Sequence, residues 1–475
     1  MKVIADVQIT KRFEIENPWW HDGKLQFPYE QMKERPYLEQ LYKHITDISL
    51  RRAVVLMGPR RVGKTVLIYH AVKKLIGSGI SPKRILYVSV DHPLYNNLSL
   101  DDFIERFRNI FNYDLNKEKL FVFFDEIQYM RNWELYLKNI VDRYPNIKCL
   151  VSGSAAAALK LKSCESGAGR FTDFLLPPLT FYEYLLLQKK SEIINVRNVK
   201  GKEDEFEIKD IKRLNSYFIE YLNYGGYPEL ALNDNIRKNP QQFIRNDIID
   251  KVLLRDLPSL YGIEDIQELN SLFTTLAYNT GNEVSLESLS KNSGVSKNTI
   301  KRYIQYLEAA FLIKTVNRID QNGKIFRRAN FFKVYLTNPS IRAALFAPVN
   351  DGDDDMGSVV ETAIFSQWFH SQSTLLYYAR WNKSKSESGE VDIVCLNEKN
   401  LSPLWVVEVK WSDRYHDHPE ELKGTIDFCL RNNIPKLLLT TKKINSTKTY
   451  MNTSIRYVMS ALYAYELGYN LLKRK

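Results

Sequence analysis

The run Gly58-Pro59-Arg60-Arg61-Val62-Gly63-Lys64-Thr65 constrains this chain more than any other feature. It follows the apolar stretch Ala53–Met57 and opens a stretch of helical pattern. The two glycines let a tight loop turn its backbone N–H groups inward, and the helix N-terminus that follows adds positive potential. A loop of this kind cradles nucleotide phosphates. Lys64 reaches the β- and γ-phosphates, and the Thr65 hydroxyl ligates Mg²⁺. ATP and Mg²⁺ are therefore the expected cofactors, held by residues 58–65.

A second motif supports the first. The apolar run Leu120–Phe124 ends in Asp125-Glu126, at the strand end where α/β sheets bind ligands. Asp125 is expected to hold the Mg²⁺ shell and Glu126 to orient or deprotonate the attacking water. The alternative is that both acids only cap the next helix. After the next strand-like run comes Ser152-Gly153-Ser154, and Ser152 is favoured over Ser154 as a γ-phosphate sensor.

Between residues 51 and 155, the short apolar runs Ala53–Met57, Ile85–Val90, Leu120–Phe124 and Lys148–Val151 alternate with helical patterns. Strands buried on both faces read this way, and the alternation implies a parallel sheet. At roughly 150 residues per domain, 475 residues suggest about three domains. The expected division is an extension over 1–48, with Pro18, Trp19 and Trp20 as its docking element, and a nucleotide-binding core over 49–190. An insertion and helical lid follow over 191–275, a winged helix-turn-helix over 276–337 and a linker over 338–355. An α/β domain over 356–440 and a tail over 441–475 complete the chain. The acidic run Asp351–Asp355 reads as a solvated loop.

Ser285–Ala310 reads as two helices around a turn at Gly294, with Ser296 as N-cap and Ile300, Ile304 and Leu307 as a buried stripe. The opposite face carries Lys297, Asn298, Lys301, Arg302 and Gln305, residue types that contact phosphates or base edges in a major groove. A hairpin over Thr315–Asn322 and Lys324–Leu336, turning at Asn322-Gly323 near Arg318, Lys324, Arg327 and Arg328, would be the wing. Winged helices also serve as protein-interaction modules, so DNA contact and a packing role both stay open.

In the final domain, Val391–Leu396 and Trp405–Val409 read as buried strands. Asp392 lies in the first. Glu408 and Lys410 follow, two apart and on one face. An Asp followed by a Glu-x-Lys is the pattern of a metal-dependent nuclease. Asp392 and Glu408 would hold the metal, Lys410 would position the water, and Glu361 would be a further acid. The alternative is a structural ion pair in an inactive nuclease-like fold.

Taken together, Asp125-Glu126-Ile-Gln, Trp133, Val-Ser-Gly-Ser154, Gly169-Arg170, Pro178-Leu-Thr-Phe-Tyr-Glu183, Gly225-Gly226-Tyr-Pro228-Glu229, Arg255-Asp256, Lys333-Val-Tyr-Leu, Gly389-Glu-Val-Asp392 and Glu408-Val-Lys410 resemble the prokaryotic AAA+-type P-loop ATPases with a C-terminal domain of unknown function. The resemblance implies an α/β fold. Its parts are an AAA+-like parallel sheet core, a helical lid, a winged helix and a restriction-endonuclease-like α/β domain. In such ATPases a neighbouring subunit's arginine often completes the site, which makes a homo-oligomer an expected partner state. Arg170, in Gly167-Ala-Gly-Arg, is the candidate, and Arg255 is the alternative from the same chain. Two departures stand out: the long insertion near 191–216, and Asn338 where an acid is expected, read here as affecting a turn.

The formal charge of +11 and pI near 9.1 suit a polyanionic partner such as DNA without specifying one. Met1–Thr10 has no apolar signal core and no apolar run approaches about 18 residues, so a cytoplasmic protein without membrane contact is expected. Cys149, Cys164, Cys395 and Cys429 are scattered, which speaks against zinc and a disulfide framework. The resulting expectation is an ATPase acting on DNA, with a nuclease-like C-terminal domain. The rival is an ATP-driven signalling switch whose last two domains only bind partners.

Overall fold

The computed structural model describes residues 2–153, 169–197, 204–326, 330–371, 374–382 and 388–473. The chain divides into two compact units, with the boundary between Pro177 and Pro178. The expected core, 49–190, spans this boundary.

The first unit is built on five parallel strands: β1 (Ala53–Met57), β2 (Ile85–Ser89), β3 (Leu120–Asp125), β4 (Ile147–Gly153) and β5 (Phe171–Leu175), in the order β2-β3-β4-β1-β5. Every residue of β1, β3 and β4 is buried, which is why these strands carry continuous apolar runs rather than alternating ones. The helix Lys64–Gly77 follows β1 directly. The helix Leu100–Phe111 starts on a capping box, with Ser99 and Asp102 satisfying each other's backbone N–H.

Residues 1–48 are integral to this unit. Trp19 and Trp20 are buried, and both indole N–H groups donate to Ile85 O at 3.2 and 2.7 Å. Asn17 donates to Tyr87 O at 2.9 Å and accepts from Tyr87 N at 2.6 Å. β2 is an edge strand of the sheet. These side chains take up backbone groups that the edge leaves unpaired.

The second unit contains the hairpin β6 (Ile194–Arg197) and β7 (Glu205–Ile208), which occupies the expected insertion. It also holds a nine-stranded sheet made of β8 (Glu283–Ser285), β9 (Ile313–Ile319), β10 (Phe331–Leu336), β11 (Leu375–Asn382), β12 (Ser388–Leu396), β13 (Pro403–Glu408), β14 (Lys436–Thr441), β15 (Ser446–Tyr450) and β16 (Thr453–Met459). The order is β15-β16-β14-β13-β12-β11-β9-β10-β8. The parallel pairing of β9 with β11, through Arg318↔Tyr378 and Ile319↔Ala379, makes the regions read as 276–337 and 356–440 into one sheet.

Three boundaries need correction. The second hairpin strand starts at Phe331, not Lys324, because the backbone turns over Asp320–Lys324 with Gly323 at φ 73°. Residues 338–355 are more than a linker: Ile341, Ala343 and Ala344 are buried in the helix Ser340–Leu345. Within the acidic run, Asp351 accepts from Trp411 at 2.9 Å and Lys442 at 2.7 Å, and Asp355 pairs with Arg342. Residues 441–475 supply β15, β16 and the helix Ser460–Lys473, whose Tyr465 and Tyr469 pack against Tyr182. Among the described residues, no helix is long and apolar enough to cross a membrane.

Candidate nucleotide site and C-terminal acid cluster

The loop at residues 58–65 takes its shape from conformations that few residues adopt. Arg61 and Gly63 have φ of 62° and 96°. A Cβ on Gly58 would lie 2.3 Å from Leu176 O, so only glycine fits there. Pro59 and Val62 are buried, and Arg61 is exposed. Arg60 donates to the Tyr129 hydroxyl at 3.3 Å. Lys64, buried at the helix start, donates to Gly58 O at 3.0 Å and Pro59 O at 2.8 Å, which holds its ammonium inside the loop.

Asp125 is the hub of the site. One carboxylate oxygen accepts from the Thr65 hydroxyl at 2.6 Å and from the Tyr87 hydroxyl at 3.0 Å. The other accepts from Ser152 and from Glu126 N. β4 lies between β1 and β3, so Ser152 sits beside the acid strand and is bonded to Asp125. Glu126 follows with φ 56° and makes no helix-capping bond. Its carboxylate accepts from Gln128. Burial, with the Asp125 carboxylate alongside, raises its pKa above the ordinary value. A hydroxyl beside a carboxylate at a helix start suits Mg²⁺, and a glycine-bearing loop at a helix N-terminus suits phosphates, so these residues fit the nucleotide.

Arg170 immediately precedes β5, and its Nε pairs with Asp142 of the same chain at 3.0 Å. Arg255 is exposed on a π-helical segment of the second unit. Ser154, Cys164, Gly167, Arg327 and Arg328 lie outside the described residues. Sequence reasoning missed Arg35, which is buried and donates to Val62 O of the loop and to Pro177 O, both at 3.0 Å. It also missed Tyr87, whose hydroxyl gave no local signal.

In the second unit, the helices Leu286–Ser293 and Lys297–Ala309 flank Gly294 at φ 74°, and Ser296 caps the second by accepting from Thr299 N at 3.2 Å. Ile300, Ile304 and Leu307 are buried, while Lys297, Asn298, Lys301, Arg302 and Gln305 are exposed. Asn338 does more than shape a turn. It is fully buried and donates to the Tyr221 hydroxyl at 3.3 Å. A Cβ on Gly226 would come within 2.4 Å of it.

The four C-terminal residues converge. Lys410 lies 2.7 Å from Glu408 and 3.3 Å from Asp392. Thr425 donates to Glu408 at 3.0 Å, and Val409 N to Asp392 at 2.9 Å. Burial, with Asp392 beside it, pushes Glu408 up to about 7. Asp392 is held below its ordinary value because Lys410 and Lys333 outweigh the effect of burial. Sequence reasoning missed Lys333 of β10 as a member of this site. It reaches Glu361 at 2.8 Å, Glu390 at 2.9 Å and Asp392 at 3.5 Å. Its signal was a lysine inside the otherwise apolar run Phe331–Leu336. Among the described residues, no group of three or more His, Cys, Asp or Glu side chains is arranged to hold a metal. The oxygens of Asp392 face Lys333, Lys410 and Val409 N, and those of Glu408 face Lys410 and Thr425.

Residues 50–185 match a family model described as an AAA domain, and residues 215–352 match a domain of unknown function. An uncharacterized protein of Methanocaldococcus jannaschii is 28% identical over 73% of this chain and 72% of its own length. An uncharacterized protein of Haemophilus influenzae is 26% identical over 64% of this chain and 71% of its own. Among solved structures, a Walker-type ATPase of Pyrococcus abyssi aligns at TM-score 0.37 and 14% identity, over 65% of this chain and 95% of that one. The Orc1 protein of Aeropyrum pernix, solved in complex with DNA, aligns at TM-score 0.31 and 15% identity, over 69% and 95%. Neither score bears on this chain's activity.

Proposed function

We propose that this chain, a P-loop ATPase of AAA+ type with a separate domain of unknown function, hydrolyses ATP in order to act on DNA. The observation that carries the ATPase reading is the junction of Thr65, Asp125, Glu126 and Ser152 beside the lysine-centred loop. In this reading Lys64 and the loop amides bind the β- and γ-phosphates, and Thr65 and Asp125 hold Mg²⁺. The metal offsets the charge that builds on the phosphates. Glu126 takes a proton from the attacking water, and its raised pKa suits a base working near neutral pH. Ser152 fixes the Asp125 carboxylate and, in this reading, senses the γ-phosphate.

DNA is assigned to the helix Lys297–Ala309, whose exposed face carries Lys301 and Arg302. A solvated basic face beside a buried apolar stripe suits a helix that docks in a major groove. The C-terminal cluster has nuclease-like chemistry, but its acids are already paired with Lys333 and Lys410. That pairing favours a second reading for this domain, in which it binds partners only.

Steady-state ATP turnover with and without duplex DNA tests the assignment. Turnover should rise with DNA in wild type, and the rise should disappear in Lys301→Ala/Arg302→Ala. Slow turnover that DNA leaves unchanged would instead select an ATP-driven signalling switch.

A further inference from the structure

Lys333 is the least expected member of the C-terminal cluster. Its side chain is 3% exposed, so its ammonium sits among carboxylates rather than in water. Glu361 accepts from it at 2.8 Å and from the Tyr335 hydroxyl at 2.6 Å. Asp392 is divided between two ammonium groups, with Oδ1 toward Lys333 at 3.5 Å and Oδ2 toward Lys410 at 3.3 Å. The two oxygens of Glu408 are used by Lys410 and Thr425. Mg²⁺ needs oxygens at about 2.0–2.1 Å in near-octahedral array and keeps several waters. An ammonium that already draws on Glu361, Glu390 and Asp392 occupies the point from which a metal would reach them.

We propose that Lys333 is the resident counter-cation of this cluster and stands in for a divalent metal, so that the site takes a metal only once Lys333 is withdrawn. The proposal rests on reading the cluster as nuclease-like in chemistry and is separate from whether it cleaves. Lys333 comes from β10, in the region matched to the domain of unknown function, whereas Asp392 and Glu408 come from the strands that follow it. The two regions share one sheet through the β9–β11 pair.

The test is calorimetric titration of Mn²⁺ into the full nucleotide-free chain, with Asp392→Asn protein giving the background from other sites. Wild type should match that background. Lys333→Met should gain one Mn²⁺ site, at least tenfold tighter than any in wild type, and Lys333→Met/Asp392→Asn should lose it. Mn²⁺ should also raise the melting temperature of Lys333→Met but not of wild type. If Lys333→Met titrates like wild type, the proposal is overturned. Should that variant not fold, Lys333→Gln takes its place with the same expected gain, and Asp392-dependent Mn²⁺ binding by wild type with Lys333 present overturns the proposal in either case. DNA cleavage is read in the same samples. If the new metal site appears without cleavage, the nuclease reading falls and this one stands. Mn²⁺-dependent cleavage by wild type that Asp392→Asn abolishes would do the reverse.

Discussion

At the scale of single residues, Lys64 and Glu126 divide the work of the nucleotide site. Lys64 is held inside the loop by two carbonyls, so its charge acts on bound phosphates. Lys64→Ala should weaken ATP binding and lower turnover by about 10²–10³-fold, as loss of a charge-stabilising donor does. Glu126→Gln should keep ATP binding and lose about 10²–10⁴-fold in turnover, the usual share of a general base. Nucleotide titration with single-turnover hydrolysis separates the two, and normal turnover in Glu126→Gln removes that residue from the role. Glu16 makes a different prediction. It is buried beside Tyr95 and Arg12, and burial lifts its pKa from 4.5 to about 7. Its folded pKa lies above its unfolded one, so the native state holds more protons between those values. The contribution of Glu16 to stability is then fullest below 4.5 and falls as pH rises to about 7, by up to roughly 3 kcal/mol. Urea unfolding across that range should show a shallower pH slope in Glu16→Gln than in wild type.

At the scale of elements, the helix Lys297–Ala309 shows how one segment serves two ends. Its apolar stripe, Ile300, Ile304 and Leu307, anchors it to the core of the second unit. Its other face stays in water. Because Lys301 and Arg302 are exposed, their replacement by alanine should leave the melting temperature nearly unchanged. The slope of log Kd against log salt for DNA should fall by roughly 1 for each phosphate that the variant no longer neutralises. An unchanged slope would place DNA elsewhere. The N-terminal segment illustrates the opposite case: its tryptophans and Asn17 are consumed by the β2 edge. Lys333 belongs to both cases, as a charged residue on a buried strand that becomes intelligible only beside Glu361 and Asp392. Strands lie about 4.8 Å apart, and β10 is three strands from β12 in the sheet order. Their side chains nevertheless meet, with Lys333 at 3.5 Å from Asp392.

At the scale of the whole molecule, the assignment of Arg170 concerns assembly. In one chain it pairs with Asp142, and both side chains are more than 40% exposed. Such a pair contributes about 0–1 kcal/mol. Mixing Arg170→Ala with Lys64→Ala protein should restore part of the turnover that each lacks, since a mixed pair of subunits contains one complete site. Oligomers shown to mix without recovering activity would rule against an arginine shared between subunits. The melting temperature of Arg170→Ala should match wild type whatever the turnover result.

The local features of this protein were legible in its sequence because each rests on neighbours in the chain. The phosphate loop needs its glycines within a few residues, the acid pair needs the end of an apolar run, and Ser296 needs only the next turn of helix to cap. The buried stripe Ile300, Ile304 and Leu307 follows from helical periodicity, and the Asp392, Glu408 and Lys410 cluster from strand spacing. What the sequence could not supply was partnership at a distance. That Asn17 serves the backbone of Tyr87, that residues 441–475 complete a sheet, and that Gly226 leaves room for Asn338 all depend on segments far apart in the chain. The same holds for the charge state of the C-terminal acids. Spacing placed Asp392 and Glu408 on strands that could hold a metal. Packing brought Lys333 to them from another region, and a carboxylate buried away from water is governed by whichever cation the fold sets beside it.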